Sequence, residues 1–168
     1  MKSTELKSIQ RPLKEKYRNE PAAAIFTLKV HGKIGENISC KVETGRALIE
    51  AGLHTGTGGN GMLACSGDLL LEALVACAGV TLSAIATSSD IEIRNGIVNA
   101  EGDIDFRGTL AVGNDAPVGF KEIRLSFSLE SDASPEKLET LLKLTEKYCV
   151  VYQTIKKGAS TITKIKLS

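Results

Sequence analysis

The chain of 168 residues has the length of one domain, and with 42% hydrophobic and 24% charged residues it is too apolar and too evenly charged to stay disordered. Its 21 Lys and Arg against 20 Asp and Glu leave a net charge of +1, which speaks against broad electrostatic capture of nucleic acid or an anionic membrane. Four Phe, three Tyr and no Trp are too few for base-stacking platforms, so the core has to be aliphatic and rich in alanine.

Residues 4–20 carry Leu6, Ile9, Leu13 and Tyr17 at helical spacing, with Pro12 expected to interrupt the pattern and Pro21 to close it. This segment, 1–21, reads as an N-terminal helical arm, and 22–168 as a single domain. The arm lacks the apolar run of a secretory signal, so the expected location is the cytoplasm, where thiols stay reduced. From Ala22 the period changes to two, and residues 24–44 read as a hairpin turning at Gly35-Glu36-Asn37. Ala47-Leu48-Ile49 suggests a third strand or one helical turn. Residues 52–67 are glycine-rich.

Leu69 to Ala86 is the most apolar stretch, with Glu72 its only charge, Ser66 suited to cap its start and Asp68 suited to the positive end of the dipole. Apolar residues all round describe a helix buried on most sides. A membrane span is the weaker reading at that length with an internal Glu. Ile91–Phe106 and Phe120–Leu129 read as two strands. Ser134-Pro135-Glu136 opens a second helix, Gly158 ends a short third one, and Thr161–Leu167 alternates as a last strand. The order implies an α+β fold, with helices against one face of a largely antiparallel sheet.

Three groups of residues have chemical potential. Gly56-Thr-Gly-Gly-Asn-Gly61 formally fits G-x-G-x-x-G, but it lacks the strand directly before it and the helix opening within it, and reads better as a flexible loop beside a site. His54, Cys65, Cys77 and Cys149 are scattered single ligands with no CxxC spacing, a poor basis for a metal site. Cys77 and Cys149 suit thiol chemistry. Small neighbours Ala76, Ala78 and Gly79 leave access to Cys77, and Cys149 ends a helix, where a resolving thiol has room to move. Two buried structural cysteines are the plain alternative.

The stretch Gly67-Asp-Leu-Leu-Leu-Glu-Ala-Leu-Val-Ala-Cys77-Ala-Gly-Val-Thr-Leu82 resembles the central helix of the OsmC/Ohr family. Lys143-Leu-Thr-Glu-Lys-Tyr-Cys149-Val-Val-Tyr152 resembles that family's second cysteine segment, and the order of elements agrees from about Ala22 onward. The resemblance implies antiparallel sheets packed on a long buried central helix, in an intertwined homodimer with sites at the subunit seam. It implies a thiol peroxidase acting on small organic hydroperoxides, with Cys77 peroxidatic and Cys149 resolving, an external dithiol as reductant, and no metal, flavin or nucleotide. The chain departs from the family pattern at Gly67, where a first-turn Glu is usual, at Ser66 in place of Pro, and at Val150 in place of a Pro after the second cysteine. Asp68 is the nearest carboxylate, either a helix-start charge or a catalytic group. Glu72 sits either at a dimer seam or in solvent. For the arginine that pairs with the thiolate, Arg46 is the first choice, with Arg18 and Arg107 behind it; a solvated strand-end charge is the alternative for Arg46. Two other functions stay in view: a binding or interaction protein on the same fold with little peroxidase activity, and a hydrolase using Cys77 or Cys65 with His54.

Overall fold

The structure is a computed structural model that describes residues 3–35, 39–42 and 51–165, with side chains described at 8–27 and 51–165. Helix α1 (Ser3–Asn19) leads through a 3₁₀ turn at Pro21–Ala24 into β1 (Ile25–Gly35) and β2 (Ser39–Val42). β1 and β2 pair antiparallel with Gly35 opposite Ser39, which is the expected hairpin. The turn at 36–38 and the apolar stretch at 47–49 lie outside the described residues. Short parallel strands β3 (Ala51–Gly52) and β4 (Ala64–Cys65) flank the glycine-rich loop. Helix α2 (Ser66–Ser88) follows, then β5 (Asn95–Asp105), the single turn α3 (Phe106–Thr109), β6 (Phe120–Glu130), α4 (Pro135–Tyr148) and α5 (Val150–Lys157).

The main sheet is antiparallel, in the order β2-β1-β5-β6. On β5, alternate residues Gly96, Val98, Ala100, Gly102 and Ile104 are buried, the period-two pattern of a strand with one face on the core. Leu71, Leu74, Val75, Ala78, Leu82 and Ala86 form the buried side of α2. Gly102 has a steric role: a Cβ there would stand 2.4 Å from the Phe120 ring. The β5–β6 register slips at Asp103/Ile104, a bulge at the start of β6.

Three expectations need correction. Helix α1 runs straight through Pro12, because Pro12 is exposed while the opposite side, with Tyr17 2% exposed, holds the helix to the body. Ser66 is the first helical residue of α2, and Cys65 is the N-cap. Residues 161–165 form no strand. They pair with no strand among the described residues, and Ile162 and Ile165 stand 82% and 85% exposed.

Helix α2 is buried on one side only. By length and apolarity it passes as a membrane span, yet its Leu71–Leu82 side is core. Its other side carries Leu70, Ala73, Cys77 and Val80 at three- and four-residue spacing, exposed or partly exposed.

Candidate functional site: a cysteine pair between two helices

Cys77 lies at the start of the fourth turn of α2 and is partly exposed, whereas Cys149 is 1% exposed. Cys149 sits where the chain breaks between α4 and α5: its backbone (φ −70°, ψ 111°) leaves the helical region, so it closes α4 and caps α5. Its Sγ accepts the Tyr152 backbone N–H at 3.4 Å. The break aims the first amides of α5 away from α4. Such amides have no partner inside their own helix and carry the positive end of the helix dipole.

Those amides meet Cys77. Burial pushes the Cys77 thiol up. Hydrogen bonds from the Val151 N–H, the Cys149 thiol, the Thr81 hydroxyl and the Val150 N–H outweigh it, and the balance lies below the ordinary cysteine value. Cys149 moves the opposite way. Burial pushes it up to about 11, assisted by the neighbouring Cys77, although the Tyr152 N–H pulls down. The two neighbouring thiols are therefore displaced in opposite directions, Cys77 down and Cys149 up.

The other expected site residues are elsewhere. Asp68 precedes Cys77 by nine residues, two and a half turns, which places it on the opposite side of α2 and about 13.5 Å along the axis. There burial raises the Asp68 carboxyl, with the His54 ring opposing, while burial lowers His54, with Asp68 opposing. Glu72, partly buried, is raised by burial and then by the Asp68 charge. His54 Nδ1 accepts the Gly56 N–H at 2.9 Å, and the ring stacks on Phe106 and meets Phe26 edge-on. With Nδ1 so occupied, that nitrogen is no base for a thiol, against the hydrolase reading.

Arg46 lies outside the described residues. Arg107 is committed to Asp105, with Nε 3.0 Å from both carboxylate oxygens and Nη2 2.5 Å from one, and reaches Asp115 at 3.4 Å. Arg18 is exposed near the end of α1. Among the described residues, no arginine contributes to the Cys77 environment; backbone amides and a hydroxyl do. Sequence reasoning missed both. The helix break that frees the amides has one signal, a cysteine between two apolar helical stretches, and Thr81 has its spacing of four from Cys77.

The scattered ligands separate into two places. Cys77 and Cys149 meet, while His54 and Cys65 line a cavity of about 320 Å3 with Thr57, Ser66, Gly67 and Phe106. Among the described residues no three His, Cys, Asp or Glu side chains converge as metal ligands. The Gly56–Gly61 loop forms a short 3₁₀ turn between β3 and β4, without the strand–turn–helix of a dinucleotide fold. Gly58 is a required glycine, with φ +96° and a would-be Cβ 2.4 Å from Ile9 Cγ2. A larger apolar groove, about 860 Å3, runs between α2, β6, α4 and α5, lined by Leu74, Ile123, Leu125, Leu142, Tyr152 and Ile155 among others, one turn from each cysteine.

The fold matches the crystal structure of an OsmC-like hydroperoxide resistance protein from Jannaschia sp. CCS1 with a TM-score of 0.62, at 18% identity, over 86% of this chain and 95% of that one. An OsmC-like protein from Mycoplasma pneumoniae matches with a TM-score of 0.55, at 19% identity, over 80% of this chain and 86% of that one. No curated protein sequence matches the chain. Residues 58–164, which contain both α2 and the Cys149 junction, match the OsmC-like protein family, and the chain belongs to that family.

Proposed function

We propose that the protein is a thiol-dependent peroxidase for small organic hydroperoxides, working through Cys77 and Cys149. One observation carries this: a partly exposed thiol below its ordinary pKa in contact with a buried thiol held well above it. The Cys77 thiolate attacks the terminal oxygen of ROOH and the O–O bond breaks. Cys77 becomes the sulfenic acid, and RO⁻ takes a proton to leave as the alcohol. The peroxide has gained two electrons and the sulfur has lost two. Cys149 then attacks the sulfenate sulfur, its proton leaves with the hydroxyl as water, and the disulfide forms. An external dithiol restores both thiols by exchange and leaves as its own disulfide. The thiol proton that Cys149 keeps at neutral pH is the one this second step needs.

The working unit is a homodimer whose seam covers the exposed side of α2. Leu70, Ala73 and Val80 flank Cys77 there without any charge, and a soluble helix leaves such a stripe open only where another surface covers it. Light scattering at micromolar concentration should give twice the chain mass, and Val80→Glu should reduce it to one; a monomeric wild type overturns the dimer.

Peptide mapping after one equivalent of tert-butyl hydroperoxide tests the chemistry. The expected product is a Cys77–Cys149 disulfide. Cys77 left reduced while Cys65 or Cys40 oxidises overturns it. The second reading, a binding protein on this fold, is favoured by the apolar groove beside the thiols and gains from that result.

A further inference from the structure

The glycine-rich loop folds on His54. It is the N-cap of the 3₁₀ turn Thr55–Thr57, and its ring nitrogen Nδ1 accepts the Gly56 N–H at 2.9 Å. An acceptor two residues before the N–H is the geometry of an Asx turn, made here by an imidazole. Gly56 is buried and closely packed: a Cβ on it would stand 2.6 Å from the Phe106 ring and 2.8 Å from that of Phe26. Helix α1 docks on the atoms that follow. Tyr17 donates to Gly56 O at 2.6 Å, and Gln10 Nε2 donates to Thr57 O at 3.3 Å. Ile9 sits over Gly58, where a Cβ would lie 2.4 Å from its Cγ2. Successive loop residues thus carry α1, and the turn that presents them is closed by a nitrogen that can take a proton.

We propose that His54 is a pH-sensitive latch: with Nδ1 unprotonated it holds the loop in the shape on which α1 docks, and acid, by placing a proton on Nδ1, opens the turn and frees α1. An imidazolium is a donor at both nitrogens, so the Gly56 N–H would meet a second donor and be left unsatisfied in a packed site. The groups around the ring set the pH range. Phe26 of β1 and Phe106 of α3 bring no charge to it. Asp68 of α2 favours the charged ring, and Glu72, one turn further on, is itself raised by the Asp68 charge. Cys65 of β4 shares the ring's cavity. Burial is the larger effect on His54 and favours the neutral ring, so the latch is closed at neutral pH. It works without any thiol chemistry and holds whether or not the protein reduces peroxides.

Hydrogen exchange of the full, reduced chain, read by mass spectrometry from pH 7.5 to 4.5, tests it. Each rate is divided by that of the unfolded chain at the same pH. His54→Asn keeps an acceptor for the Gly56 N–H and removes the titration; His54→Phe keeps a ring and removes the acceptor. In wild type the α1 peptides should lose protection about tenfold as pH falls, while those of α4 keep theirs. His54→Asn should keep α1 protected throughout, and His54→Phe should already show at pH 7.5 the level that wild type reaches in acid. Should a variant lose its circular dichroism spectrum, His54→Ser stands for the asparagine and His54→Leu for the phenylalanine. Wild type that keeps α1 protected down to pH 4.5 overturns the proposal. So does a loss that His54→Asn repeats or α4 shares equally, or a His54→Phe protein as protected at pH 7.5 as wild type.

Discussion

Helix α2 serves two thiol neighbourhoods of different character. At its first residues Cys65 shares a cavity with the ring of His54, near the carboxyl of Asp68. Two and a half turns beyond Asp68 and on the other side, Cys77 faces the α4–α5 break. By residue type the first looks better equipped, with an imidazole, a carboxyl and a helix start. By geometry it is the poorer one. His54 spends Nδ1 on the Gly56 N–H, and its ring stacks on Phe106 and meets Phe26 edge-on. Cys77, by contrast, has its pKa lowered by the neighbouring α4–α5 junction and Thr81, with no charged side chain among the causes. Donors already aimed at the sulfur activate a thiol; titratable residues nearby, with their hydrogen bonds committed elsewhere, do not.

The largest effect separates the two thiols directly. Cys77→Ser should lower hydroperoxide consumption by about three orders of magnitude or more, while Cys65→Ser leaves it within about twofold. Equal losses in steady-state assays would break the comparison. Cys149→Ser should act next: one equivalent of peroxide is still consumed at once, but turnover with a dithiol falls sharply. A Cys77 sulfenic acid, trapped with dimedone, should appear by mass spectrometry where the disulfide formed before. Undiminished turnover would show that Cys149 does not resolve the intermediate.

Smaller effects belong to the first neighbourhood, whose hydrogen bonds support the loop. Tyr17 donates its hydroxyl to Gly56 O at 2.6 Å, a buried bond that ties α1 to the loop after His54. Tyr17→Phe leaves that carbonyl unsatisfied and should cost about 1–2 kcal/mol in urea unfolding, with peroxide turnover unchanged. A loss of turnover equal to that of Cys77→Ser would join the two regions into one site.

The smallest effect is a pH slope. Burial lowers His54 below its ordinary value, so between the two values the unfolded chain binds the proton that the folded one refuses. The stability due to His54 is full above the unfolded value of about 6.5 and is lost as pH falls toward the lowered folded value. Asp68, raised by burial, has the opposite sign: its share is full below the unfolded carboxylate value and is lost as pH rises through the folded one. Wild-type Tm should therefore drop by about 2 °C more between pH 7.5 and 5.5 than that of His54→Gln. Equal drops in the two proteins would show that the ring is not held neutral.

Periodicity and end signals were enough for most of the fold. The switch from spacing three-to-four to spacing two after Ala22, the unbroken apolar run of α2, and Ser134-Pro135 at the start of α4 all reappear as elements, because helices and strands need only local spacing to expose one consistent face. Pro12 misled because a proline on the solvent side of a helix does not prevent docking through the other side. Thr161–Ile165 misled because alternation supplies one half of a strand and a sheet edge must supply the other. Sequence also brought Cys77 and Cys149 forward, since the segments around them carry the family resemblance, and the fold sets the two thiols beside each other. It did not mark the groups around Cys77, and directed attention to Arg46, which lies outside the described residues, and to Asp68, which lies on the opposite side of α2. That was decided by tertiary structure. Whether backbone amides lie near a sulfur depends on where α4 breaks and how α5 leans on α2. Main-chain donors are present at almost every residue, so composition cannot mark the few that packing leaves unpaired and aimed at a charge.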